Sequence, residues 1–226
     1  MIEKYKNIEE DFSIEVELDI DEDIQTYPWL FSLFIEAELE EEKKDKIINI
    51  VEDKPFVKYV GMRFIDGWSE LYFYSLNSKG IQNNIHSYLQ QNSYKFESGV
   101  VKDTKWDFYQ GNLQPSELEF FMIESQKIVN MMIHEGDNIA QEREVEHYVM
   151  FETKTQMQRF VESCESKGFK FKDEISSDEC EYGVAVVKIH NLSYISIYQA
   201  IKELSELAKS EHGFYELWST TLVEKQ

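Results

Sequence analysis

From Phe12 to Ile20 apolar and polar residues alternate without a break: Phe12, Ile14, Val16, Leu18 and Ile20 share one side, and Ser13, Glu15, Glu17 and Asp19 the other. That period of two predicts a half-buried antiparallel strand. Beyond Pro28 the alternation resumes through Phe31, Leu33, Ile35, Ala37 and Leu39, predicting a second strand from Trp29 to Leu39. Residues Glu40 to Asp53 switch to helical spacing, with acids at the start and Ile47, Ile48 and Val51 as the apolar stripe. Asp66-Gly67 between two strand-like runs, Val57–Ile65 and Ser69–Ser75, predicts a hairpin. Asn77 or Ser78 is placed to cap a helix carrying Ile81, Ile85, Tyr88 and Leu89. A strand from Tyr94 to about Val101 follows, then a short aromatic segment, Trp106 to Tyr109.

Pro115 and the capping-box pair Ser116 and Glu119 open a helix running to about His134, with Gly136 as its stop. Its apolar residues cover more than one stripe, which predicts burial on more than one side and a place between two domains. Asp137 to Glu146 reads as a polar linker. The second half then repeats the earlier order. Val145–Phe151 is a strand, Thr153 and Gln156 form a capping box, and Met157, Phe160, Val161 and Cys164 stripe the helix that ends at Gly168. Phe169 to about Ile175 and Tyr182–Ile189 are paired strands. Val184–Val187, apolar on both sides, predicts cover on both faces. Ser193 caps a helix ending at Gly213, and Phe214–Val223 is the last strand.

The predicted fold class is α+β: two tandem ferredoxin-like βαββαβ sandwiches with antiparallel sheets, joined by the long apolar helix. The predicted divisions are 1–115, 116–141 for the linking helix and linker, and 142–226.

Composition narrows the function. The net charge is −21, and it is spread evenly, with 23 acidic against 12 basic residues in 1–115 and 21 against 11 in 116–226. An acidic surface of this kind repels phosphate backbones and disfavours direct nucleic-acid binding, while it attracts a basic protein. No apolar run approaches the roughly 20 residues needed to span a bilayer, and the first residues lack the pattern of a signal peptide. The expectation is a cytoplasmic chain that does not engage membranes. Cys164 and Cys180 fit no redox or zinc spacing and read as idle thiols.

Candidate chemistry is sparse. Asp19–Asp23 has the acid density of a calcium loop, but Ile24 stands where the tight-turn glycine belongs and Leu30 where the bidentate glutamate belongs. His134 and His212 sit where helix C-termini favour a cation. His147 shares a face with Val145, Val149 and Phe151 and reads as a hydrogen-bonded core histidine; His86 and His190 show no partner in sequence. No nucleophile elbow, P-loop or local Cys/His signature is present. These observations favour a non-enzymatic binding protein with no catalytic residue, cofactor or metal assigned. Two alternatives stand beside it: a small-ligand sensor using a cleft between the domains, and an enzyme with a dispersed site.

The hot-spot residue types supply the candidate partner-binding set: Tyr215, Glu216 and Trp218 near the C-terminus, and Arg63, Trp68, Trp106 and Tyr109 in the first half. Core filling is the competing role for Trp106 and Trp218. Tyr215 and Trp218 are three apart on a strand, which predicts opposite faces and at most one toward the helices.

Val145–Phe151, Ser166–Phe169, Tyr182–Val186 and the ending Gly213-Phe-Tyr-Glu-Leu-Trp-Ser-Thr220 resemble the bacterial regulator of ribonuclease activity B (RraB) family. That family often ends in a Gly-x-Tyr-Asp-Gly-Trp-x-Thr-like stretch; here Glu216 replaces the Asp and Leu217 the second Gly. Tyr59–Arg63, Gly67–Tyr74, and Asp103, Trp106 and Tyr109 before Pro115 resemble a bacterial domain family of unknown function, family 695. The first resemblance implies a protein that binds ribonuclease E and modulates its activity, so the expected partner is a protein with a basic surface, such as a ribonuclease. Homodimerisation stays open.

Overall fold

The computed structural model describes residues 2–7, 11–176 and 180–224. The chain divides into two compact units, Met1–Glu119 and Phe120–Gln226. No helix among the described residues is long and apolar enough to cross a membrane.

The first unit runs β1 (Ile2–Asn7), β2 (Phe12–Glu17), β3 (Trp29–Ile35), α1 (Glu41–Glu52), β4 (Val57–Ile65), β5 (Trp68–Ser75), α2 (Asn83–Gln91), β6 (Phe96–Lys102) and α3 (Asp107–Asn112). Its sheet has the order β1-β2-β4-β5-β3-β6, antiparallel throughout. From β3 onward the chain follows β, α, β, β, α, β, and the alternation-derived face of β3 is the buried one: Phe31, Leu33 and Ile35 are fully inaccessible. They pack with Ile47 and Val51 of α1, Ile85 and Leu89 of α2, and Leu71 and Phe73 of β5. β5 is also covered on its other side, since Tyr72 and Tyr74 are as buried as Leu71 and Phe73.

Several local expectations shift. β1 was not evident in the sequence, because Ile2–Asn7 has too few apolar residues to show a period; it forms by pairing along β2. β3 stops at Ile35 rather than Leu39. α2 starts at Asn83, several residues past the expected caps Asn77 and Ser78, whose backbone is not helical. Glu15, assigned by alternation to the solvent side of β2, is buried there. It accepts hydrogen bonds from Lys44 Nζ (2.6 Å) and the Tyr59 hydroxyl (3.0 Å). Periodicity cannot see such a pair, because α1 brings the lysine in from 29 residues away.

The second unit contains most of α4 (Glu117–His134), then β7 (Arg143–Phe151), α5 (Lys154–Glu165), β8 (Lys170–Ile175), β9 (Tyr182–His190), α6 (Tyr194–Ser210) and β10 (Phe214–Thr220). The sheet order is β10-β7-β9-β8, all antiparallel. Both expected capping boxes form: Ser116 with Glu119, and Thr153 with Gln156.

α4 is less enclosed than its composition suggests. Met122, Ile123, Val129 and Met132 are buried, but Phe120 and Met131 are 48% and 59% exposed. Asp137, placed in a polar linker by sequence, is instead buried and paired with Arg143 at 2.7 Å. The same carboxylate accepts from the backbone N–H of Val223, tying the end of α4 to the far end of the unit.

Candidate functional site

In the second unit the candidate residues gather on one face of the sheet. Tyr215 pairs with Val149 and Trp218 with His147, and a register shift between Tyr215 and Leu217 adds one residue to β10. Val149 and His147 are two apart on β7 and share a face, so Tyr215 and Trp218 do too. The expectation that they point to opposite faces is therefore wrong: the bulge at Glu216 resets the alternation. Both side chains are buried. Trp218 Nε1 donates to Ser125 Oγ (2.8 Å) and the Tyr215 ring meets Phe121 edge-on, so both anchor α4. Glu216 and Leu217 face outward.

Beneath Tyr215 lies a polar chain in an otherwise apolar core. His190 Nδ1 is 2.7 Å from the carbonyl oxygen of Asn191, which can only accept, so this nitrogen carries the proton. Neutral His190 then accepts at Nε2 from His147 Nε2 (3.4 Å), leaving His147 Nδ1 to accept from the Tyr215 hydroxyl (3.0 Å). His147 is fully inaccessible. Burial pushes its pKa down to about 3, with the nearby His190 and Lys188 adding to the effect. Burial also lowers His190 and raises Tyr215. His147 is thus the core histidine expected from its face, and its two polar partners come from strands distant in sequence.

The turn before β10 has a packing cause. His212, not Gly213, takes the left-handed conformation (φ 57°) that ends α6. Gly213 is required because a Cβ there would lie against the Phe151 ring and 2.7 Å from the Met150 carbonyl oxygen. On the opposite sheet face Phe214 and Leu217 lie against Met150 and Tyr148 of β7, while Ile189 lies across from Glu144 toward the other end of that strand. Phe214 and Leu217 are each 47% exposed and Ile189 is 67% exposed. Lys172 crosses this face to pair with Glu144 and Glu146.

In the first unit Trp106 and Tyr109 are also buried. Trp106 stacks on Tyr74 (centroids 3.8 Å apart) and donates to the Tyr27 carbonyl; Tyr109 donates to the Glu17 carbonyl at 2.7 Å. Trp106 holds a left-handed backbone (φ 60°), uncommon for a bulky residue, as the chain turns into α3. Asp103 organises that turn, accepting from the Tyr74 hydroxyl and from the backbone N–H groups of Asp107 and Phe108. Burial alone would raise the Asp103 pKa, but the Tyr74 and backbone hydrogen bonds outweigh it and bring it below the usual range. The short aromatic segment is thus the start of a helix plugged into the sheet.

Arg63 is mostly enclosed: its guanidinium pairs with Glu70 at 2.8 Å and bonds the Tyr72 hydroxyl at 3.0 Å. Trp68 is half-buried beside Lys95, and Glu216 is the exposed member of the candidate set. A cleft of about 270 Å³ opens beside Trp106 and Tyr109, walled by Leu18, Gln25, Lys105 and Gln114. Asp21 and Asp23 lie on an exposed turn, and no cluster able to hold a metal ion occurs among the described residues. Cys164 and Cys180 are not joined in a disulfide, and burial pushes the Cys164 thiol up to about 12.

Residues 122–220 match the family described as Regulator of ribonuclease activity B, and residues 35–113 match a family of unknown function, DUF695. The two matches fall on the two units and take in the residues that carried the sequence resemblances. No curated protein matches the chain. Two solved structures show weak similarity. One is a protein provisionally assigned as a glycine cleavage system transcriptional repressor (9% identity, TM-score 0.27, covering 86% of this chain and 98% of that one). The other is protein BT0572 from Bacteroides thetaiotaomicron (7% identity, TM-score 0.22, covering 84% and 92%). Neither bears on fold or function at those scores.

Proposed function

We propose that this protein is a non-enzymatic, cytoplasmic regulator that binds a ribonuclease, or an assembly carrying one, through a basic surface of that partner. The observation that carries the reading is the match of residues 122–220 to the Regulator of ribonuclease activity B family. The βαββαβ element order and the β10-β7-β9-β8 sheet support reading the second unit as a ferredoxin-like sandwich, as the resemblance implies.

The geometry favours a division of labour within the C-terminal motif. Tyr215 and Trp218 spend their side chains on His147 and Ser125, so their contribution to a partner is to hold β10 in place. Phe214, Glu216 and Leu217 are the exposed residues of that strand, and Phe214 and Leu217 offer a small apolar patch beside the Glu216 carboxylate. Such a patch suits a partner surface that mixes apolar and basic side chains. The net charge of −21 would speed encounter with it. In the first unit Trp68 and the exposed edge of Arg63 are secondary contact candidates.

Affinity capture from host lysate at low salt, with bound proteins identified by mass spectrometry, tests the reading. The expected result is enrichment of a ribonuclease that high salt releases, that Leu217→Glu with Phe214→Glu abolishes, and whose RNA cleavage the purified chain alters. Failure to enrich any ribonuclease, or RNA cleavage unchanged by a stoichiometric excess of the chain, would refute it.

A further inference from the structure

The groove between α1 and α2 in the first unit carries an inference that does not depend on the ribonuclease reading. Both helices turn their inner sides to the sheet, and their outer sides leave an open groove of about 800 Å³. Its floor is apolar where Ile50 of α1 and Tyr88 of α2 sit, both half-buried and continuous with the core beneath. Its α1 wall carries Glu42, Asp45 and Asp53, one side of that helix by their spacing.

Pairing separates these acids from the others on α1 and its cap. Glu40 pairs with Lys43 at 3.0 Å, Glu41 with Lys44 at 2.7 Å and Glu52 with Lys58 at 3.3 Å. Glu42, Asp45 and Asp53 form no ion pair among the described residues. The groove's single lysine, Lys46, leans over the Tyr88 ring with its ammonium 5.0 Å from the centroid. The groove therefore combines an apolar floor with three carboxylates outside any ion pair, set against one lysine, while the other acids of α1 and its cap are paired within the fold.

We infer that this groove docks a basic amphipathic helix of a partner protein, with its apolar side on Ile50 and Tyr88 and its lysines or arginines against Glu42, Asp45 and Asp53. The 12 residues of α1 make a trough about 18 Å long, which matches roughly three turns of bound helix. Helix-in-groove recognition reads apolar anchors at helical spacing, and the charged rim sets orientation and encounter rate.

The probe is a blocked peptide of about 14 residues with leucines at helical spacing and lysines elsewhere, long enough to fill the trough. Its scrambled isomer is the comparison, both titrated into the full chain at about 150 mM salt, where long-range attraction is screened. Two triple variants remove equal charge: Glu42→Gln with Asp45→Asn and Asp53→Asn in the groove, and Asp21→Asn with Glu22→Gln and Asp23→Asn on the distant acidic turn. The expected result is about tenfold weaker binding for the groove variant and less than about twofold change for the turn variant. Tyr88→Ala should also weaken binding, and amide shifts should centre on 42–53 and 84–91. Equal weakening by both triples, equal binding of the scrambled peptide, shifts centred elsewhere, or self-association of the free chain through the groove would each overturn the inference. Circular dichroism of each variant confirms that the fold is retained.

Discussion

Lowering the pH should destabilise the second unit through His147, and the size of the effect follows from its burial. In the unfolded chain an imidazole titrates near 6.5, whereas in the fold His147 stays neutral down to about 3. The unfolded state therefore binds the proton first as pH falls, so the histidine's contribution is complete above about 6.5 and lost progressively below it. For one such group the loss between pH 8 and pH 5 is about 2 kcal/mol. The carboxylates complicate a bare comparison, since protonating them relieves repulsion in a chain of charge −21. The informative quantity is the difference between the wild type and His147→Gln, whose amide can still accept from Tyr215 and donate to His190. Urea unfolding followed by the fluorine resonance of 5-fluorotryptophan at Trp218, the one tryptophan after residue 119, isolates this unit. The wild type should lose about 2 kcal/mol more than the variant between pH 8 and 5. Parallel losses, or an imidazole resonance of His147 titrating between pH 6 and 7, would refute the argument.

Three further outcomes follow from packing. Gly213→Ala should cost about 1–3 kcal/mol, because the added methyl meets the Phe151 ring and the Met150 carbonyl; a melting temperature equal to wild type would count against it. Lys44→Met should destabilise the first unit by about 2–3 kcal/mol by leaving the buried Glu15 carboxylate only the more exposed Lys4 and the Tyr59 hydroxyl, and adding Glu15→Gln should recover much of the loss in a thermal melt. Trp218→Phe should cost about 1–2 kcal/mol for the lost bond to Ser125 and the smaller ring. Hydrogen exchange should then quicken along α4, and unchanged protection there would show that the anchor is not needed.

The strands and helices that face a core were legible because burial imposes a period, and Phe31, Leu33 and Ile35 are the plainest case. What escaped was set by distant partners. β1 depends on β2 for its existence, Glu15 is buried where Lys44, Lys4 and Tyr59 meet it, and Asp137 looks like linker until Arg143 is brought beside it. Among the candidate site residues, aromatic type alone does not separate a surface anchor from a core one. Trp106, Tyr109, Tyr215 and Trp218 all lie inside. For the last two the decisive signal was a single extra residue in β10, which no local pattern in Phe214–Thr220 announces.

That extra residue has a consequence for how the C-terminal strand can change. In a regular strand each position inside is followed by one outside, so altering the exterior soon disturbs what is packed within. Here Glu216 and Leu217 stand consecutively at the surface between two inward aromatics. Their chemistry can be rewritten while Tyr215 and Trp218 keep their partners. The strand thus separates the part of the motif that must stay constant for folding from a two-residue window free to specialise, and Leu217, where the RraB pattern has glycine, sits in that window.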